Sequence, residues 1–191
     1  GLGGGSSNAA AALKIVSEIL GRDYDSELLQ AASFTGSDVP FFLHGGFGFV
    51  EGKGELFSPL DFYDGSYILL VNNGIHVNTG FAYETLNKPV SETDLECEEK
   101  KRILFNGIKR IEDWKKYFKN DFEEVIFDLH PQIGLIKQNM YKNGAFFSSM
   151  TGSGSTVFGI FNNKESAVSA RKIFENGSDR VFLTNFRDCK N

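Results

Sequence analysis

Apolar and polar positions along the chain switch between helical and strand-like spacing. After a glycine-rich opening, residues 9–20 are strong helix formers with apolar positions at helical intervals, predicting a helix that ends at the glycine cap Gly21. A second helix is expected over 26–34, with Ser26 as N-cap and a stop before Gly36. The turn Thr35-Gly36-Ser37-Asp38-Val39-Pro40 precedes Phe41-Phe42-Leu43 and Gly48-Phe49-Val50, which read as short strands broken by glycines. A polar, turn-rich connection over 59–65 leads into the apolar run Tyr67–Asn72, a buried strand, and places a domain boundary between 1–64 and 65–191. Beyond it the pattern predicts helices over 79–86, 99–115 and 121–129, a break at Pro131, and a further helix over 133–141. Paired strands over 145–150 and 157–161, a helix over 164–176 ended by Gly177, and a last strand over 180–184 complete the list. Helices mixed with antiparallel strands in this order indicate an α+β fold rather than a regular βαβ array.

Composition narrows the function. The 191 residues are 41% hydrophobic and 24% charged, ordinary for a soluble globular protein. A formal charge of -5 argues against a general nucleic-acid or membrane-surface binder, so an anionic ligand must be held locally. Cys97 and Cys189 lie far apart without a CxxC pair, which indicates neither a zinc site nor a disulfide framework and suits a reducing cytosol. No apolar stretch approaches the ~20 residues of a membrane helix, and no charged-then-apolar leader is present. The chain begins inside a glycine run rather than at Met, which gives the expectation that a preceding segment is missing.

The opening string Gly1-Leu2-Gly3-Gly4-Gly5-Ser6-Ser7-Asn8 runs into a helix, where unpaired amides and the helix dipole favour a phosphate. It is not a Walker A loop, since no Gly-Lys-Ser/Thr follows, nor a convincing dinucleotide fingerprint, and a flexible linker remains an open reading of the glycines alone. Asp38 either closes its turn or orients an alcohol as a base. His44, His76 and His130 are isolated and read as structural or surface residues, and Asn176-Gly177-Ser178 reads as a helix-ending turn.

Several strings carry a family resemblance. Gly1-Leu2-Gly3-Gly4-Gly5-Ser6-Ser7-Asn8-Ala9-Ala10 resembles the second conserved motif of the GHMP kinases (galacto-, homoserine, mevalonate and phosphomevalonate kinases). Met150-Thr151-Gly152-Ser153-Gly154-Ser155-Thr156-Val157-Phe158 resembles their third motif. Gly36-Ser37-Asp38-Val39-Pro40-Phe41-Phe42 and Asn120-Asp121-Phe122-Glu123-Glu124-Val125 are similar to segments of the branch acting on a cytidine diphosphate-linked methylerythritol, and the order holds from residue 1 to at least Phe161.

The resemblance implies the remainder of an S5-domain-2-like, ATP-binding N-terminal domain over 1–64 and a ferredoxin-like C-terminal domain over 65–191. It implies ATP-dependent phosphorylation of the substrate's 2-hydroxyl in the non-mevalonate route to isoprenoids, with Mg2+, in a bacterial cytosol or a plastid. Gly1, Leu2, Gly3, Gly4, Gly5, Ser6, Ser7 and Asn8 would bind ATP, and Asp38 would orient the hydroxyl and take its proton. Gly152, Ser153 and Gly154 would bring backbone amides to the active site, with Thr79 near the reacting end of the substrate and Tyr83 stacked on the cytosine. Ser7 is a metal ligand by family analogy and an N-cap by local chemistry, as is Ser6, so the metal ligands stay open. The family's catalytic lysine has no match at Lys14, Lys53 or later lysines; it is expected upstream of Gly1, together with the adenine pocket, leaving these residues inactive by themselves. Another GHMP kinase and a non-catalytic GHMP-like module are the competing readings.

Overall fold

The computed structural model describes residues 1–22, 26–52, 54–60, 65–86, 102, 105, 113–175 and 177–185. Cys97, Cys189, Lys53, Asn176, most of the connection expected over 59–65 and most of the helix expected over 99–115 lie outside them. The chain forms two compact units, Leu2–Asp64 and Gly65–Phe186, with Gly1 grouped with the second.

The first unit holds α1 (Gly4–Ile19), α2 (Ser26–Thr35), α3 (Val39–His44) and a hairpin of β1 (Gly48–Glu51) and β2 (Leu56–Pro59). Its core is the meeting of the three helices: Ala10, Ala32, Val39 and Leu43 are buried, flanked by Leu13, Leu28, Leu29 and Phe42. Alanines on α1 let the helices approach closely, and the buried aliphatics stabilise that contact by roughly 1.5–3 kcal/mol each. Gly21, at φ 63, takes the left-handed position after the last turn of α1. Its amide bonds to the Glu18 carbonyl (3.1 Å) and that of Arg22 to the Ser17 carbonyl (2.9 Å), the double closure of a glycine-ended helix.

Two expectations are corrected here. Phe41-Phe42-Leu43 is not a strand: it belongs to α3, because Pro40 in the first turn gives up no helical hydrogen bond and fixes a helical φ, while Val39 and Leu43, four residues apart, share the buried face. The helix expected from Ala9 begins five residues earlier, at Gly4, because Gly3 at φ 64 turns the chain into it. Strand β2, which the pattern did not reveal, pairs with β1 in antiparallel register from Gly48 opposite Pro59 to Glu51 opposite Leu56. Phe57 lies over Gly48, where a Cβ would fall 2.1 Å from the ring, and His44 stacks on that ring with centroids 4.7 Å apart.

The second unit runs β3 (Tyr67–Asn72), α4 (Thr79–Leu86), α5 (Trp114–Tyr117), α6 (Phe122–Leu129), α7 (Pro131–Lys142), β4 (Phe147–Met150), β5 (Val157–Phe161), α8 (Lys164–Glu175) and β6 (Arg180–Asn185). Its sheet has the order β4-β5-β3-β6 with every pair antiparallel, the β-α-β-β-α-β pattern of a ferredoxin-like domain. The break expected at Pro131 is found between α6 and α7, and the further helix begins at Pro131 itself, two residues before the expected 133, a first-turn position that proline suits. Leu69, Val71, Ile133, Met140, Val157 and Phe161 form the core with Ala167 and Ala170 of α8. A Cβ at Gly159 would fall 2.9 Å from the Met140 sulfur, so this strand glycine lets α7 sit close on the sheet.

Candidate functional site

In the first unit the candidate site starts at the entrance of α1. The Ser7 amide is the first to join the helical ladder, donating to the Gly3 carbonyl at 2.8 Å, so the amides of Gly4, Gly5 and Ser6 precede it and have no helical acceptor. A Cβ at Gly4 or Gly5 would meet nothing within 4 Å, which leaves that end open, and no acidic side chain in the first turn offsets its positive pole. The N-cap position belongs to Gly3, which has no side chain to cap with; Ser6, Ser7 and Asn8 lie within the helix. The N-cap reading of Ser6 and Ser7 is therefore corrected. Leu2 is exposed just before Gly3, while Gly1 groups with the second unit, where the Thr151 hydroxyl donates to its carbonyl.

Asp38 stands at the N-cap position of α3 with φ -89 and ψ -10, yet its carboxylate makes no capping hydrogen bond and is exposed. The turn closes instead through the Val39 amide, which donates to the Gly36 carbonyl at 3.1 Å. Two contacts fix the backbone around it. One turn further along α3, Phe42 lies against Gly3, where a Cβ would fall 2.8 Å from the ring. Just before it, the tip of the β1–β2 hairpin meets Ser37, and a Cβ at Gly54 would fall 1.7 Å from the Ser37 carbonyl oxygen. His44 is held below its ordinary pKa because burial disfavours the charged imidazole.

In the second unit Asn78 caps α4: its side-chain oxygen accepts from the Phe81 amide at 3.1 Å and its carbonyl from the Ala82 amide at 3.0 Å. The cap places Thr79 in the first turn, and its hydroxyl lies 3.1 Å from that of Ser153. Tyr83, one turn on, is exposed and meets Phe122 edge to face, with centroids 4.9 Å apart. The structure thus brings Thr79 and Ser153 together, with Tyr83 on the adjoining turn.

The segment between β4 and β5 is a tight turn. The Thr151 amide donates to the Thr156 carbonyl at 2.8 Å and the Gly154 amide to the Thr151 carbonyl at 2.9 Å. Gly152 and Gly154 take φ 49 and 98, which favour glycine. The Gly154 amide is thereby occupied, whereas those of Gly152 and Ser153 have no acceptor among the described residues.

Side chains that the sequence did not single out for a role hold this turn. Asn120 donates from Nδ2 to the carbonyls of Met150 and Gly152, both at 2.8 Å, and accepts the Phe122 amide at Oδ1 (2.9 Å). Glu123 accepts the Met150 amide at 2.8 Å and the Ser149 hydroxyl at 2.9 Å on one oxygen, and pairs with Lys137 through the other. From β3, Asn72 donates to the Thr156 hydroxyl at 2.8 Å, and Ser155 donates to the Ile75 carbonyl at 2.6 Å. The signal was present in the Asn120-Asp121-Phe122-Glu123 string, whose polar residues frame a helix start, but nothing in it names the distant turn they reach.

Among the described residues no group of three or more His, Cys, Asp or Glu could hold a metal. A magnesium ion carried by nucleotide phosphates and water needs no such cage. No helix among them is long and apolar enough to cross a membrane.

Comparisons with known proteins agree with this architecture. Residues 1–46 match the GHMP kinases N terminal domain and residues 104–178 the GHMP kinases C terminal region, together more than half of the chain. A 4-diphosphocytidyl-2-C-methyl-D-erythritol kinase of Thermodesulfovibrio yellowstonii is 37% identical over 190 residues, taking in 96% of this chain and 66% of the relative. One from Azobacteroides pseudotrichonymphae is 42% identical over 164 residues, covering 84% and 58%. The chain thus spans less than two thirds of the length of either relative. Among solved structures, a 4-(cytidine 5'-diphospho)-2C-methyl-D-erythritol kinase superposes with TM-score 0.71 at 25% identity, over 97% of this chain and 66% of that one. The homoserine kinase of Cytophaga hutchinsonii, with TM-score 0.77 at 18% identity over 96% and 65%, matches in fold alone.

Proposed function

The chain belongs to the GHMP kinase family, and from that premise we propose that its protein transfers the γ-phosphoryl group of ATP to the 2-hydroxyl of 4-(cytidine 5'-diphospho)-2-C-methyl-D-erythritol. The observation that carries the reading is in the first unit: an open helix entrance whose amides have no acceptor among the described residues, and an exposed carboxylate, Asp38, one turn before the ring that packs on Gly3. The substrate is taken from the relatives, whose identity runs along most of the chain.

In this reading the amides of Gly4, Gly5 and Ser6, with the positive end of α1, hold ATP phosphate oxygens, and glycine at positions 3 to 5 lets them come close. Asp38 orients the substrate hydroxyl and accepts its proton as that oxygen bonds to the γ-phosphorus and the bond to the ADP oxygen breaks. A carboxylate engaged in capping would be a poor base; that of Asp38 caps nothing. Thr79 and Ser153 offer paired hydroxyls to the substrate, the free amides of Gly152 and Ser153 serve its charged oxygens, and the exposed Tyr83 ring stacks on the cytosine. Mg2+, arriving with the nucleotide, offsets phosphate charge during transfer. The setting that follows from the substrate is a bacterial cytosol or a plastid.

The test is ADP release by the full-length protein with the cytidine diphosphate-linked substrate, mevalonate and homoserine in parallel. Turnover is expected with the first, and Asp38→Asn should lower kcat by about 10²–10⁴-fold. Preference for mevalonate or homoserine would reassign the substrate within the family; no ADP release with any of them would replace the kinase by a binding module.

A further inference from the structure

We infer that Asn120 is a positioning residue for the Gly152 turn, a carboxamide clamp that sets the direction of the free Gly152 and Ser153 amides. The inference rests on the reading above that those amides serve the substrate's charged oxygens.

A carboxamide has two N–H donors and one oxygen acceptor here at work, and each has a distinct partner. Both donors go to carbonyls that bracket Thr151, those of Met150 and Gly152, at 2.8 Å each. The oxygen takes the Phe122 amide at 2.9 Å, next to the start of α6. The orientation is forced, because the two facing groups are carbonyls and accept only. One side chain thus ties the last residue of β4, the first glycine of the turn and the beginning of α6 into one assembly.

Glu123 supports the clamp from the first turn of α6. It receives the Met150 amide at 2.8 Å while Asn120 donates to the Met150 carbonyl, so both polar groups of this residue's backbone are gripped from the start of α6 and the residues leading into it. Without Asn120, the turn keeps the Thr151–Thr156 and Gly154–Thr151 backbone bonds, and the Gly152 carbonyl loses its partner. Gly152 is then free to rotate its peptide, which carries the Ser153 amide and sits beside the Thr79–Ser153 hydroxyl pair.

A purely structural role, capping α6, is separable from clamping. Asn120→Asp keeps the shape and the oxygen that accepts from the Phe122 amide, but turns both donors into acceptors facing the two carbonyls; Asn120→Ala removes everything. Both are to be made in the full-length protein and followed by kcat and KM with the proposed substrate and by amide hydrogen exchange over residues 147–158. The expected result is that Asn120→Asp lowers kcat at least as much as Asn120→Ala, by about 10- to 100-fold, with KM for ATP changing far less. Exchange of the hydrogen-bonded Thr151 and Gly154 amides should quicken as the Gly152 peptide loosens, while that of Leu69 and Val71 in the sheet stays slow. Wild-type exchange at the turn in Asn120→Asp overturns the clamp, and quickened exchange with unchanged kcat overturns its link to the reaction. Should the wild-type protein phosphorylate none of the substrates, the proposed function falls, and the clamp stands or falls on the exchange data alone.

Discussion

Gly3 and Gly152 both take a positive φ beside amides that have no acceptor among the described residues, yet their surroundings differ in kind. Gly3 is held by shape: its Cα side faces the Phe42 ring, itself packed among helices, and no side-chain hydrogen bond caps the turn. Around Gly152 a Cβ would meet nothing within 4 Å, and Asn120, Glu123, Asn72 and Ser155 hold the neighbouring backbone through hydrogen bonds. One turn is protected against added bulk, the other against lost donors and acceptors. A substitution that ruins one should therefore be mild in the other.

Alanine at the two glycines breaks the comparison most directly. Gly3→Ala incurs left-handed strain of about 1–2 kcal/mol together with about 1–3 kcal/mol for forcing the Phe42 ring aside, and should destabilise the first unit by roughly 2–5 kcal/mol. Gly152→Ala carries only the strain, about 1–2 kcal/mol. Urea unfolding followed by hydrogen exchange in each unit measures both, and equal losses would mean that Phe42 yields without resistance.

Polar substitution probes the other side. Glu123→Gln keeps the shape but leaves the largely buried Lys137 ammonium without a counter-charge and weakens the acceptor for Ser149 and Met150, for an expected loss of about 1–3 kcal/mol from the second unit. A loss below about 0.5 kcal/mol, the range of a solvent-screened surface pair, would remove Glu123 from the group holding the turn.

The smallest effect concerns His44, whose pKa burial moves down. The unfolded chain then binds protons more readily than the folded one as pH falls through about 6.5, so this contribution is complete above that value and is lost on the acid side. Replacing the stacked imidazole by a ring that cannot titrate, His44→Phe, should flatten the stability of the first unit between about pH 7 and pH 5. An unchanged slope would assign the dependence to other groups.

The second unit was the more legible in sequence. Tyr67–Asn72, Val157–Phe161 and the stretch ending in Arg180–Asn185 are apolar runs bounded by turn residues, and each is a strand within a residue of its expected limits. The first unit misled because its runs are short. Val39–His44 is apolar over only six residues, too few to tell a helix from a strand by period, although Asp38 followed by Pro40 is itself a helix-start signal. The glycines and serines before Ala9 are weak helix formers, and the helix nevertheless extends through them once Gly3 sets its direction. Of the candidate site, the glycine turns and Asp38 could be recognised because their chemistry is local. The partners of Asn120 could not, since a hydrogen bond between residues 30 and 32 positions apart leaves no mark on the spacing of either segment.

The tip of the β1–β2 hairpin bears on anyone wishing to engineer this protein. Hairpin tips are the usual places to graft an epitope or insert a tag, because they tolerate length and bulk. Here the tip glycine, Gly54, lies so close to the Ser37 carbonyl that even a methyl group has no room, and Ser37 is the residue immediately before Asp38. A peptide grafted at that hairpin would press on the neighbour of the proposed catalytic carboxylate, so the site most inviting on the surface is one to leave as nature built it.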